Sequence, residues 1–80
     1  MKIFTVHDSK AETYMQPLFY KTSAMALRSF TEAVKDTSTD FHKFSSDYTL
    51  VELGEYDDAT ASIVTHEKPR ILANASEFIQ

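Results

Sequence analysis

Ala24-Met25-Ala26-Leu27-Arg28-Ser29-Phe30-Thr31-Glu32-Ala33-Val34-Lys35 (residues 24–35) decides the fold. Leu27, Phe30, Ala33 and Val34 fall on one stripe at helical spacing, with Ala26 beside it. Arg28, Ser29, Glu32 and Lys35 cover the other side. Arg28 with Glu32, and Glu32 with Lys35, are spaced for surface ion pairs worth a few tenths of a kcal/mol each. Thr22-Ser23 supplies a hydroxyl N-cap for the orphan N–H groups of the first turn. Asp36-Thr37-Ser38-Thr39-Asp40 ends the helix, because that polar run has nothing to bury. This is the one substantial helix, so everything else must pack against it.

On its N-terminal side, residues 2–7 read as a strand, with Phe4 and Val6 on one face and Ile3 and Thr5 on the other. Residues 8–13 connect. Residues 14–21 read as a second, aromatic-rich strand. Pro17 removes a backbone donor, which places that strand at an edge or bulges it. The two strands form a hairpin. On the C-terminal side, Phe41-His42-Lys43-Phe44 is expected to make one helical turn anchoring two rings in the core. Residues 48–56 form a third strand, Asp57-Asp58-Ala59-Thr60 a turn, and residues 61–67 a fourth strand. Pro69 breaks the pairing and Ile71-Leu72 extends a last short strand. Asn74 caps a terminal turn with Glu77 reaching back, and Phe78-Ile79 pack down. The expected fold is α+β. It is an antiparallel sheet of about four strands, in β-β-α-β-β order, packed on one main helix with a short C-terminal element. Residues 1–80 make a single domain.

The strands do not alternate cleanly between apolar and polar, as a sheet with one wet face should. One helix cannot cover both faces of four strands. The second face is therefore expected to be covered by the C-terminal tail, a second copy or another partner. An 80-residue chain has little core to spare, and without cysteine it has no disulfide staple and no thiolate metal site. Self-association, as a homodimer, is the expected source of added stability. The absence of cysteine fits a reducing compartment. The apolar runs are far shorter than the ~20 residues that span a bilayer, and the N-terminus turns polar too soon for a signal peptide. No membrane partner is expected.

Catalytic and metal chemistry find little footing. Asp57 and Asp58, near Glu55, fit an acidic hairpin turn better than a cation site, because aspartate bonds its own backbone in turns. His7, His42 and His66 lack paired ligand spacing, although His7 and His66 lie near strand ends and could meet in the sheet. There is no Gly-x-Ser-x-Gly elbow, phosphate loop or dinucleotide fingerprint. A non-enzymatic protein without cofactor or metal is expected. Cations beside aromatic rings are the remaining signal: Lys10, Tyr20, Lys21, Arg28, Lys68 and Arg70. Single-strand binding needs cations for phosphate and rings for base stacking. Half-buried strand tyrosines within a solvated cation shell would give the same pattern. The net charge of −4 has the wrong sign for a general nucleic-acid coat.

Three phrases carry a resemblance by their order and spacing. Asp8-Ser9-Lys10-Ala11-Glu12 follows the first strand and Ala26-Leu27-Arg28-Ser29-Phe30 lies on the helix. Asp47-Tyr48-Thr49-Leu50 leads into Glu52-Leu53-Gly54-Glu55-Tyr56-Asp57-Asp58. Together, over roughly Lys2 to Phe78, they resemble the small non-structural protein of gokushoviruses, the single-stranded-DNA phages of the Microviridae. That resemblance implies a role in the host bacterial cytoplasm, in viral genome replication or the switch to single-stranded DNA synthesis, with single-stranded DNA as ligand. It implies no catalytic residue. Where that family often carries a glycine near Ser23-Ala24 and another at Ala61, this chain has neither, which leaves both turn geometries open. The rival expectation is an interaction module that binds a phage or host replication or assembly protein without touching DNA.

Overall fold

The computed structural model describes residues 1–79. Thr22 ends the extended chain, and its Oγ1 accepts from the Met25 N–H at 3.2 Å. That cap, worth about 1 kcal/mol, starts helix α1 at Ser23–Lys35. The helix buries Ala26, Phe30 and Val34. Leu27 packs partly buried against the same core, and Arg28 pairs with Glu32 at 3.7 Å across exposed surface. A second, single-turn helix, α2 at Asp40–Lys43, follows, capped by Thr39. His42 holds the two helices together: its Nδ1–H donates to the Val34 carbonyl at 3.0 Å. Phe41 packs at a tilt against Phe30 at 5.8 Å and meets Tyr48 edge-on at 4.8 Å. Phe44 is 57 % exposed, so only one of the two expected rings anchors in the core.

The sheet has five strands: β1 (Lys2–Asp8), β2 (Thr13–Tyr14), β3 (Leu18–Tyr20), β4 (Tyr48–Asp57) and β5 (Ser62–Asn74). Every pairing is antiparallel, in the order β2-β1-β4-β5, with β3 also on β1. The expected strand over residues 14–21 is thus two short strands on one side of β1. Met15-Gln16-Pro17 forms the break between them, where the prolyl nitrogen has no proton to give the ladder. Conversely, the fourth strand and the short terminal strand are one. Pro69 interrupts the ladder without ending the strand. Gly54 pairs with Thr65 and Glu52 with Arg70, so residues 66–69 bulge opposite the single residue Leu53. Gly54 permits the close approach, since a Cβ there would lie 2.1 Å from the Val64 carbonyl oxygen.

Helix α1 packs on one face only. Phe4, Val6, Leu50, Ala26, Phe30, Val34 and Ala75 form the core. The terminal 3-10 turn, Ala75–Phe78, closes the same side. Asn74 and Glu77 make the expected capping box, and Phe78 meets the Phe30 ring edge-on at 6.3 Å. The C-terminal tail therefore does not cover the second face. A 13-residue helix is about 20 Å long, whereas the ten-residue β4 runs to about 33 Å. The β4–β5 hairpin therefore projects beyond α1, and the molecule measures 41 × 24 × 17 Å. Among the described residues no helix is long and apolar enough to cross a membrane.

Candidate functional site

Strand alternation fixes what lies on the face away from α1. Phe4 and Val6 point into the helix-side core, so Ile3, Thr5 and His7 point the other way. Their cross-strand partners follow: Phe19 and Gly54 beside Ile3, Val51 beside Thr5, Tyr14 and Thr49 beside His7. Ile71 continues from Val51, and Ile63 from Tyr56. The floor of this open face is tight, with Ile3, Thr5 and Val51 at 5 % exposure or less. Its rim is not. Tyr14 is 55 % exposed, Phe19 47 %, Ile63 60 % and Ile71 74 %.

Two aromatic pairs stand on that face. His7 and Tyr14 lie 4.6 Å apart at a tilt of 49°, and Phe19 meets Tyr56 edge-on at 6.3 Å. Ile3 and His7, which mark the two pairs on β1, are separated by about 13 Å of strand. Each pair borders a shallow cleft. One, of about 340 Å³, is lined by Met1, Phe19, Tyr56 and Ile63. The other, of about 240 Å³, is lined by His7, Tyr14, Thr49, Val51, Pro69 and Ile71. Among the residues in register on this face none is a carboxylate, while Glu67, in the β5 bulge, shares the parity of Pro69 and Ile71, which line the second cleft. The charged residues in register on β1, β4 and β5 (Lys2, Asp8, Glu52, Glu55, Asp57 and Arg70) share the parity of the helix side.

The six residues singled out from the sequence do not converge. Tyr20 is half-buried, edge-on to Phe4 at 6.0 Å, and its hydroxyl donates to Ser29 Oγ at 2.9 Å. It packs partly buried against the core and lines an apolar groove beside α1, away from the open face. Lys10 sits at the opposite end of the molecule, in a cleft it shares with Asp8, Asp40, Asp47, Phe44 and Tyr48. Burial pushes the Tyr48 phenol above its usual range, and Asp8, Asp40 and Asp47 add to the effect. Lys10 therefore lies in an acidic neighbourhood. Arg28 is exposed on the outer side of α1 and paired with Glu32. Lys21 follows β3 in the bend before α1, and Lys68 lies in the β5 bulge; both are exposed. Arg70 reaches inward to Glu52.

Glu52 is the least expected feature. Its side chain is 3 % exposed, yet it lies in β4 opposite Arg70. His66 Nε2 lies 2.6 Å from its Oε2, Arg70 3.8 Å from the same oxygen and Lys2 3.9 Å from Oε1. Oε1 has no hydrogen-bond partner among the described residues. The carboxylate gathers the cations of β1 and β5 at the point where the β4–β5 ladder is interrupted. It thereby substitutes for backbone bonds that the bulge forfeits. His7 and His66 do not meet: one stacks on Tyr14 and the other binds Glu52.

A protein-family model described as Phage ORF5 protein matches residues 1–78. The chain belongs to the Phage ORF5 protein family. No curated protein and no solved structure matches it. The three sequence phrases pointed to a phage protein, and the family match agrees at that level. The match contains the whole open face and the Glu52 cluster, so both belong to the family domain rather than to an appendage.

Sequence reasoning missed several residues of this ORF5 domain. Lys2 was read only as the start of a strand, and its approach to Glu52 depends on the β1–β4 register. His7, Tyr14, Phe19 and Tyr56 were visible as aromatic strand residues, but two breaks in alternation hid which of them share a face. Glu52 carried one signal: a charge inside an otherwise apolar strand, Leu50-Val51-Glu52-Leu53.

Proposed function

We propose that this phage protein is a non-enzymatic factor in viral genome replication, or in the switch to single-stranded synthesis, and that it binds single-stranded DNA across the open face of its sheet. It would act in the host cytoplasm. The observation that carries this reading is the pair of exposed aromatic stations, His7–Tyr14 and Phe19–Tyr56, on a sheet face without paired-strand carboxylates. Rings on an open sheet accept bases by stacking, each worth ~1–3 kcal/mol and tolerant of sequence because every base has a π-face. The net charge of −4 opposes this reading only where the acids lie. Most gather at the Asp57-Asp58 turn, at the Asp8, Asp40 and Asp47 end, and on the helix side, with Glu67 in the β5 bulge as the acid of open-face parity. Lys21, which follows Tyr20 with the parity of Phe19, is the cation best placed for phosphate; Lys68 shares the helix-side parity of His66 and Arg70, Lys10 lies among acids, and Arg28 and Arg70 are paired with Glu32 and Glu52.

A titration of single-stranded DNA across salt tests this. Affinity should fall steeply with salt, with a log–log slope of about −0.7 per phosphate contact. Phe19→Ala should weaken binding by roughly 5- to 150-fold, the equivalent of one stacked base. Tyr20→Phe, at a core ring, should leave it unchanged. A folded sample that does not bind at low salt retires the DNA reading. The same apolar face would then belong to a phage or host replication or assembly protein, to be sought by pull-down from infected cells.

A further inference from the structure

We propose that the cleft at His7 and Tyr14 is a thymine subsite, so that one station of the open face reads its base while the other does not. This rests on the single-stranded-DNA reading above and names the base that the face selects. The cleft at Phe19 and Tyr56 is completed by Met1 and Ile63. It offers ring faces and apolar contact, which every base accepts alike. The cleft at His7 and Tyr14 is built differently. Val51, Pro69 and Ile71 make an apolar wall, and the Thr49 hydroxyl stands beside it.

Thr49 is set to give a hydrogen bond. Its Oγ1 accepts from the Asn74 Nδ2–H at 3.0 Å. Asn74 is itself held by a second N–H to the Ser46 carbonyl at 3.1 Å. The hydroxyl proton of Thr49 has no acceptor among the described residues, so it is free for the cleft. Alternation makes Thr49 and Val51 neighbours on this face, about 7 Å apart along β4. A donor therefore stands next to an apolar wall. Thymine alone among the DNA bases carries the complement on one edge, the O4 acceptor next to the C5 methyl. Cytosine turns an amino donor toward the hydroxyl at that position, and guanine has acceptors but no methyl. Uracil keeps the acceptor and lacks the methyl, so the same cleft separates DNA from RNA. With its O4 and methyl edge on Thr49 and Val51, the thymine ring lies against the His7–Tyr14 pair. Glu67, the acid of open-face parity, does not line the cleft.

Fluorescence anisotropy at low salt, with short labelled strands of dT, dU, dC and 5-methyl-dC, tests this. Oligo-dT should bind most tightly. Oligo-dU should bind about 4-fold more weakly, the worth of one buried methyl, and oligo-dC at least as weakly. Oligo-5-methyl-dC restores the methyl but sets its amino group against Thr49, so it too should fall below oligo-dT. Thr49→Val should erase the difference between dT and 5-methyl-dC, whereas Thr49→Ser, which keeps the hydroxyl, should preserve it. Ile71→Ala, at a side chain 74 % exposed, should narrow the gap between dT and dU. Phe19→Ala should weaken every strand alike and leave the ratios unchanged. Equal affinities for dT and dU, or discrimination that survives Thr49→Val, overturns the thymine subsite and leaves the single-stranded-DNA reading in place. A folded sample that binds none of the strands overturns both.

Discussion

Replacing Phe30 by alanine tests the central packing decision of this fold. Phe30 is 5 % exposed. Its ring lies 5.8 Å from Phe41 and 6.3 Å from Phe78, within the core that includes Phe4, Val6 and Leu50. It is therefore the point where α1, α2, the terminal turn and the sheet all meet. Truncating a buried phenylalanine costs ~3–5 kcal/mol. The lower half of that range applies here, because Phe30 also lines an apolar groove of about 420 Å³ between α1, β1 and β3. The vacated space opens into that groove instead of sealing an isolated void. A loss of ~3–4 kcal/mol must be set against a total of ~4–12 kcal/mol for a chain of this length. The melting temperature should fall by roughly 12–30 °C.

Circular dichroism during urea unfolding measures this, with every variant compared at the same protein concentration. Met25→Ala is the control: it lies on the same helix, is 50 % exposed and should stay within about 0.5 kcal/mol of wild type. A Phe30→Ala protein within about 1 kcal/mol of wild type, its m-value unchanged, would mean that α1 presents another face to the sheet.

Three further substitutions probe the β4–β5 hairpin. Ala61→Gly should stabilise by roughly 0.5–1 kcal/mol, because Ala61 holds φ 59° and only glycine adopts that region without a steric cost; a loss of stability on thermal unfolding would contradict this. Gly54→Ala should cost about 2–3 kcal/mol in a urea melt, since the new methyl would meet the Val64 carbonyl and Thr65 Cα at 2.1 and 2.7 Å. His66→Ala removes the one hydrogen bond to a carboxylate that is 3 % exposed. It should cost ~1–3 kcal/mol by the same measurement, whereas an unchanged midpoint would mean Lys2 and Arg70 satisfy Glu52 unaided.

The sequence made the helix legible because its signal is local: a hydroxyl cap, a stripe of period 3.6 and a polar stop. The terminal turn was legible for the same reason, with Asn74 and Glu77 three residues apart. What it hid was register. Pro17 announced a break in the second strand, but not that both fragments pair with β1. Pro69 looked like an end, yet an edge strand can step around a proline by bulging, and Glu52 with its cations holds the detour closed. Alternation therefore failed at Leu53, at residues 66–69 and at residues 15–17, and Tyr20 packs partly buried on the helix side. The candidate site suffered most, since membership of a face depends on counting residues correctly through every bulge. The turn at Ala61 shows the opposite case. The missing glycine left its geometry open, and the chain adopts the left-handed conformation anyway.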